Sequence, residues 1–226
     1  MSLLISGDLR LSKTQIIPAV LGEPWGGGYF AGYISHTADG NPTHALIVAP
    51  RLEGATGTGY TLTTMLAWKT TDTTTAGTTS LFDGAANTAA MVTAGIADHP
   101  AANFCKNLSI GGFTDWYLPA VAELQIAFVN LKRDGTIVNN LTVGINTYAV
   151  PPQSTNYTLT IPAQTSVSLF ANGGAEQFEI SGSGNHSAST ENGINRYRPV
   201  AMKDGALGSP FKTNSDRVRA FRRIAL

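Results

Sequence analysis

The sequence predicts an α+β domain of short antiparallel strands, two or three helices and long loops. Three observations carry this. Charged residues make up only 13% of the 226-residue chain while glycine contributes 24 positions, so the surface is wetted by hydroxyls and amides and many residues go into turns. Two apolar-aromatic runs flank a turn cluster, as in a β-hairpin. Two further segments open with helix-start signals and repeat apolar residues at helical spacing. Intrinsic disorder goes with low hydrophobicity and high net charge, and this chain combines 42% hydrophobic residues with a formal net charge of zero.

Residues 1–24 read as a unit apart from residues 25–226. Leu3 to Leu11 and Thr14 to Leu21 each suggest a short strand or an extended arm, ended by Glu23-Pro24-Trp25-Gly26-Gly27-Gly28. Docking on a partner and a plain edge strand both account for such an arm. Tyr29 to Ile34 and His44 to Ala49 then flank Asp39-Gly40-Asn41-Pro42, which predicts the hairpin. Pro50 closes the second strand because proline cannot donate to a ladder. Residues 54–80 hold twelve threonines and read as surface loop around one strand-like island, Met65 to Lys69. Asp83 before Ala85–Met91 marks a helix start, and Pro100 suits the first turn of a continuation to Leu108. Pro119 starts the next helix, with Val121, Leu124, Phe128 and Leu131 along one face. Lys132 and Arg133 stand where a helix C-terminus favours cations, and Asp134-Gly135 ends it. Residues 134–165 read as a long insertion loop, Ser166 to Phe170 as a short third helix, and the chain after Gly182 as short strands and turns.

Composition also excludes. A neutral chain lacks the basic surplus that generic nucleic-acid binding relies on. Cys105 is the only cysteine, so no internal disulfide can form, and a buried small apolar role suits it. The N-terminus lacks the basic start and long apolar stretch of a secretory signal, and no segment approaches the ~20 apolar residues of a membrane span. The histidines His36, His44, His99 and His186 are scattered without metal-ligand spacing, so neither a metal nor a cofactor is expected. No phosphate-cradling or nucleophile-elbow motif occurs.

Gly111-Gly112-Phe113-Thr114-Asp115-Trp116-Tyr117-Leu118-Pro119, followed by Glu123-Leu124, reads as a turn, an aromatic strand and an abrupt helix start. Together with Gly26–Phe30, Ala45–Pro50, Leu66–Thr70, Asp83–Met91, His99–Leu108, Ala149–Thr158, Ala163–Phe178 and Lys212–Ile224, it forms an ordered series of motifs. The series resembles a family of C-type-lectin-like domains found in phage tail proteins and at the C-terminus of collagen-like bacterial adhesins. The resemblance covers residues 25–226. It implies a C-type-lectin-like fold and a non-catalytic tail-fibre or tail-tip protein of the virion, made in the host cytoplasm. Its partners would be a host cell-surface glycan or outer-membrane protein, and other phage tail proteins through the N-terminal arm. It would form a homo-oligomer, a trimer being common among tail fibres, with neither membrane insertion nor nucleic acid. The alternative is a structural virion component, a fibre adaptor or baseplate decoration docking another phage protein. Formylglycine-generating enzymes share the broad fold but hold copper with two cysteines, which this chain lacks.

The resemblance makes Asp115, Trp116, Pro119, Glu123, Arg219 and Arg222 structural. Asp115 would order its turn through backbone hydrogen bonds, and Trp116 would fill the core. The competing reading pairs Asp115 with Glu123 as an acid/base couple. From Arg196 to Leu226, eight basic side chains face two acidic ones. Arg217, Arg219, Arg222 and Arg223 are expected to brace the final strand on carboxylates such as Glu123, Glu176 or Glu191. The chain departs from the family pattern in residues 185–211, where Asn185 to Glu191 replaces a Tyr-Trp-Ser-Ser-Thr-Glu strand. In that fold this region lies on or beside the ligand-facing surface, and retroelements diversify it in some members. The expected receptor-binding residues are therefore His186, Asn192, Ile194, Asn195, Arg196, Tyr197, Arg198, Met202, Lys203 and Phe211, with Arg196-Tyr197-Arg198 as anchors.

Overall fold

The computed structural model describes residues 17–226. Its main sheet is curled and antiparallel. Strand β1 (Pro24–Trp25) folds back on β2 (Gly28–Ile34), and β2 pairs with β3 (His44–Val48). This is the predicted hairpin, and its turn works as the residue types suggest. The Asp39 carboxylate accepts from the Asn41 N–H at 2.9 Å and from the Ser35 hydroxyl at 3.0 Å. Of the arm, Leu3–Leu11 lies outside the described residues. Thr14 to Ile16 also lie outside them, and of the segment expected as a short strand or extended arm over Thr14–Leu21, residues 17–21, continuing to 23, form a bend and turn. The Gly22 N–H donates to Phe30 O at 2.8 Å, which ties this segment onto β2.

A four-residue turn of helix, α1 (Arg51–Gly54), leads into β4 (Ala55–Thr56) and then β5 (Leu66–Ala67), inside the predicted island. Helix α2 (Gly84–Gly95) is capped by Asp83, whose carboxylate accepts from the Ala86 N–H at 2.7 Å. Helix α3 (Pro100–Lys106) starts on its proline as expected. Helix α4 (Val121–Leu131) starts two residues after Pro119, and the Glu123 carboxylate accepts from the Ala120 N–H at 2.7 Å. Lys132 does more than complement a dipole. Its ammonium is buried and donates to Ile137 O, Asn139 Oδ1 and Pro162 O at 3.1, 2.6 and 3.2 Å, so it organises the long 134–165 loop from inside.

The remaining strands are β6 (Ala149–Val150), β7 (Asn185–His186), β8 (Val200–Ala201), β9 (Ser215–Asp216), β10 (Val218–Arg219) and β11 (Phe221–Ala225). Strand β11 extends the main sheet beyond β3, and β6 pairs with β2. Three two-stranded ladders join β4 to β10, β5 to β9 and β7 to β8. The expected helix at Ser166–Phe170 is a turn. Five residues cannot repay helix nucleation by themselves, and burial of Phe170 fixes the backbone instead.

Alternation along β3 divides the core in two. Leu46 and Val48 face a cluster with Phe128 and Leu131 of α4, Phe170, Phe178 and Phe221. Ile47 faces a second cluster with Trp68, Met91, Cys105, Trp116 and Tyr197. Gly32 shows how closely α4 lies on the sheet. It has φ +122°, and a Cβ there would stand 2.4 Å from the Asn130 side-chain nitrogen, which donates to Ala31 O at 2.8 Å. Cys105 is fully buried, and burial pushes its thiol up, away from reactivity. No helix among the described residues is long and apolar enough to cross a membrane.

Candidate functional site

The 185–191 segment enters the core before the chain reaches the surface. His186 is fully buried, with Nε2 2.6 Å from the Tyr60 hydroxyl and Nδ1 3.1 Å from Gly184 O. Burial pushes its pKa down to about 3, so it is neutral at ordinary pH. The Ser189 N–H donates to Pro119 O at 2.7 Å, and the Glu191 N–H donates to Thr78 O at 2.7 Å. Residues 185–191 are thus scaffold rather than contact surface.

After Glu191 the chain makes a folded loop over residues 192–212. Glu191 bridges Tyr197, and Arg196 bridges Phe211, so the loop's two limbs are zipped together. Inside its base lies the ion pair of Lys212 with Glu191. The Lys212 ammonium also donates to Ile194 O and Thr73 O, each at 2.9 Å. Glu191 accepts further from the Thr78 hydroxyl at 2.9 Å and the Thr75 N–H at 3.3 Å. Burial lowers the Lys212 pKa, and the Glu191 carboxylate opposes that shift. Trp68 lies beneath, its ring stacked on Tyr197 at 6.2 Å and 4.8 Å from the Lys212 ammonium.

Above this base the loop presents Ile194, 72% exposed, and Phe211, 40% exposed. The Arg196 guanidinium lies 4.2 Å over the Phe211 ring and donates to Ser209 O at 2.6 Å. Asn192 donates to the Ser209 hydroxyl at 2.8 Å. Asn195 offers its carbonyl to the Lys212 N–H at 3.0 Å. The structure therefore gathers Asn192, Ile194, Asn195, Arg196 and Phe211 on one loop.

Three expected contact residues are corrected. His186, Tyr197 and Met202 are buried and cannot meet a partner without unfolding. Tyr197 donates its hydroxyl to Asp216 in the interior, so Arg196-Tyr197-Arg198 is not one contiguous anchor. Arg198 goes elsewhere, to the wall of a cleft with Tyr148. Lys203 reaches Gly182 O at 3.2 Å, beside a different turn. Sequence reasoning missed the contribution of the threonine-rich segment. Asp72 accepts from the Thr213 N–H at 3.0 Å, and Lys69 binds the Thr73 and Thr74 carbonyls at 3.2 and 3.0 Å. Only the run of hydroxyls pointed there, and it carries no information about what it packs against.

The residues read as structural are placed as follows. Trp116 is fully buried, with its indole N–H donating to Phe113 O at 3.0 Å. Asp115 pairs with Arg222, whose guanidinium lies 3.8 Å from the Phe113 ring centroid. The expected turn-ordering backbone bonds of Asp115 give way to this ion pair, since its side chain is 55% exposed and faces the arginine. Glu123 is fully buried, accepting from the Tyr117 hydroxyl at 2.6 Å as well as from Ala120. Each carboxylate has its own partners, and no hydrogen bond joins the two. Arg219 pairs with Glu176 at 2.6 Å, as expected, and Arg223 pairs with Asp83 at 2.7 Å. Arg217 uses the Thr58 carbonyl at 2.7 Å and Ser181 rather than a carboxylate.

No family model and no curated protein matches this chain. Among the described residues no group of three His, Cys, Asp or Glu side chains is placed to hold a metal ion.

Proposed function

We propose that the protein is a receptor-binding component of a phage tail, at the fibre or tip, that recognises a bacterial surface polysaccharide or outer-membrane protein without catalysis. The observation that carries this reading is the 192–212 loop. It displays an exposed aliphatic, an exposed aromatic and a guanidinium on a base fixed by the buried Lys212–Glu191 pair. Such a loop is ordered before it meets a partner, which lowers the entropy cost of binding. Arginine and aromatic side chains are the favoured anchors of recognition surfaces. A C-type-lectin-like scaffold, implied by the motif series, would place this loop toward the receptor. Several copies on one virion would convert weak contacts into firm attachment through effective concentration.

The test is the triple variant Ile194→Ala, Arg196→Ala, Phe211→Ala. Its melting temperature should match that of the parent, because all three side chains lie outside the core. Its affinity for host cells should fall by at least about tenfold. Unchanged adsorption would sink the assignment. Retained cell adsorption with lost binding to purified tail proteins would instead identify a structural virion component.

A further inference from the structure

We propose that the cleft beside Arg198 binds a single sugar residue bearing a carboxylate. The cleft has a volume of about 230 Å³ and is formed by α4, the 145–148 turn and the Arg198 and Leu207 limbs. That is below the ~300 Å³ at which drug-sized pockets begin, and it suits one ring. Among the described residues Arg198 is the only charged one in the lining, and no carboxylate of theirs stands there to repel an anion. Its guanidinium makes no hydrogen bond or ion pair with any described residue, although its backbone N–H is fixed on Thr190 O at 3.0 Å.

A second, independent feature points the same way. Gln125 is 5% exposed and lines the cleft, yet its amide makes no hydrogen bond among the described residues. Neighbouring Asn146 shows what a satisfied amide looks like here. It donates to Ala122 O at 3.0 Å and accepts from the Tyr148 N–H at 3.1 Å. The Gln125 amide atoms are not sealed from solvent, so the amide is open to whatever enters the cleft it lines. Tyr148 is held in place by stacking on Phe82 at 4.4 Å, and Leu81, Ile145 and Leu207 supply apolar walls.

These parts match the chemistry of an acidic sugar. The planar guanidinium fork takes a carboxylate in a bidentate manner. The Gln125 amide can donate to and accept from ring hydroxyls, and the C–H face of the ring packs on the aliphatic and aromatic walls. The same fork would take a phosphate, but the apolar walls and the amide have a use only for a ring, and the titration below separates the two. The inference extends the recognition reading by naming a receptor chemistry. Its test uses purified protein and free sugars, so its failure leaves the adsorption experiment standing.

The experiment is a nuclear magnetic resonance titration of isotope-labelled protein with methyl glucuronide, methyl glucoside and inorganic phosphate. With the glucuronide, the Gln125 side-chain amide and the Thr147 and Tyr148 backbone signals should shift together and saturate. The glucoside should leave them in place. Arg198→Ala should raise the glucuronide dissociation constant at least tenfold, with an unchanged melting temperature. Arg198→Lys, which keeps the charge but not the fork, should fall between the two. Glucoside shifting the same signals, phosphate competing at equal affinity, or Arg198→Ala titrating like the parent would each overturn the proposal.

Discussion

Tyr197 shows how a single residue can change sides. In sequence it stands between two arginines and looks like the centre of a binding anchor. In the structure it is buried, stacked on Trp68, with its hydroxyl on Asp216. Side chains alternate along extended chain, so the outward positions of Arg196 and Arg198 require the residue between them to point inward. That alternation was legible in the sequence; the partner of the hydroxyl, on another strand, was not. Burial raises the pKa of both Tyr197 and Asp216. Tyr197→Phe should therefore cost about 1–3 kcal/mol, the usual penalty for leaving a buried acceptor unpaired, read from urea denaturation. Cell adsorption by the folded variant should not change.

Local signals served the elements well. The hairpin was carried by its Asp-Gly-Asn-Pro turn, and α2 and α3 by Asp83 and Pro100, because caps and turns are satisfied by residues near in sequence. The segment around Val167–Phe170 was misread because its apolar cluster answers to distant partners, the β2 ring of Tyr29 and the Arg219 guanidinium. The same limit hid the base of the 192–212 loop. Arginines were expected on Glu191, yet Lys212 takes it. Removing either partner of this pair should be expensive. Lys212→Met or Glu191→Gln alone should each cost about 3–5 kcal/mol, and the double substitution Glu191→Leu, Lys212→Met should recover part of it. Chemical denaturation measures the cost. Hydrogen exchange at residues 192–195 should quicken in Lys212→Met, where the carbonyl of Ile194 loses its donor. An Ile194 region as protected as in the parent would show that the pair does not hold the loop.

At the scale of the whole molecule, the buried titratable groups set a pH dependence. Burial lowers all four histidines, His36 to about 4 and His186 to about 3. Unfolded histidine takes its proton near pH 6.5, so their contribution is complete above that value and is lost progressively as pH falls toward the folded values. Glu123 works in the opposite sense. Burial pushes its carboxyl up to about 7, so its contribution is present below about 4.5 and lost as pH rises to 7. Burial raises Asp216 in the same sense as Glu123; with four histidines against these two carboxyls, the melting temperature should fall on acidification from pH 6.5 to 4. His186→Gln should show a shallower slope, and a melting temperature that climbs on acidification would contradict the scheme. The loop base has one more consequence. Lys212 grips position 194 by its carbonyl oxygen and the limbs are joined through backbone bridges, atoms that every amino acid possesses. The side chains at 194, 196 and 211 can therefore be exchanged with little effect on the fold beneath them. What the loop offers to its surroundings could be rewritten there, one substitution at a time, and every intermediate would still fold.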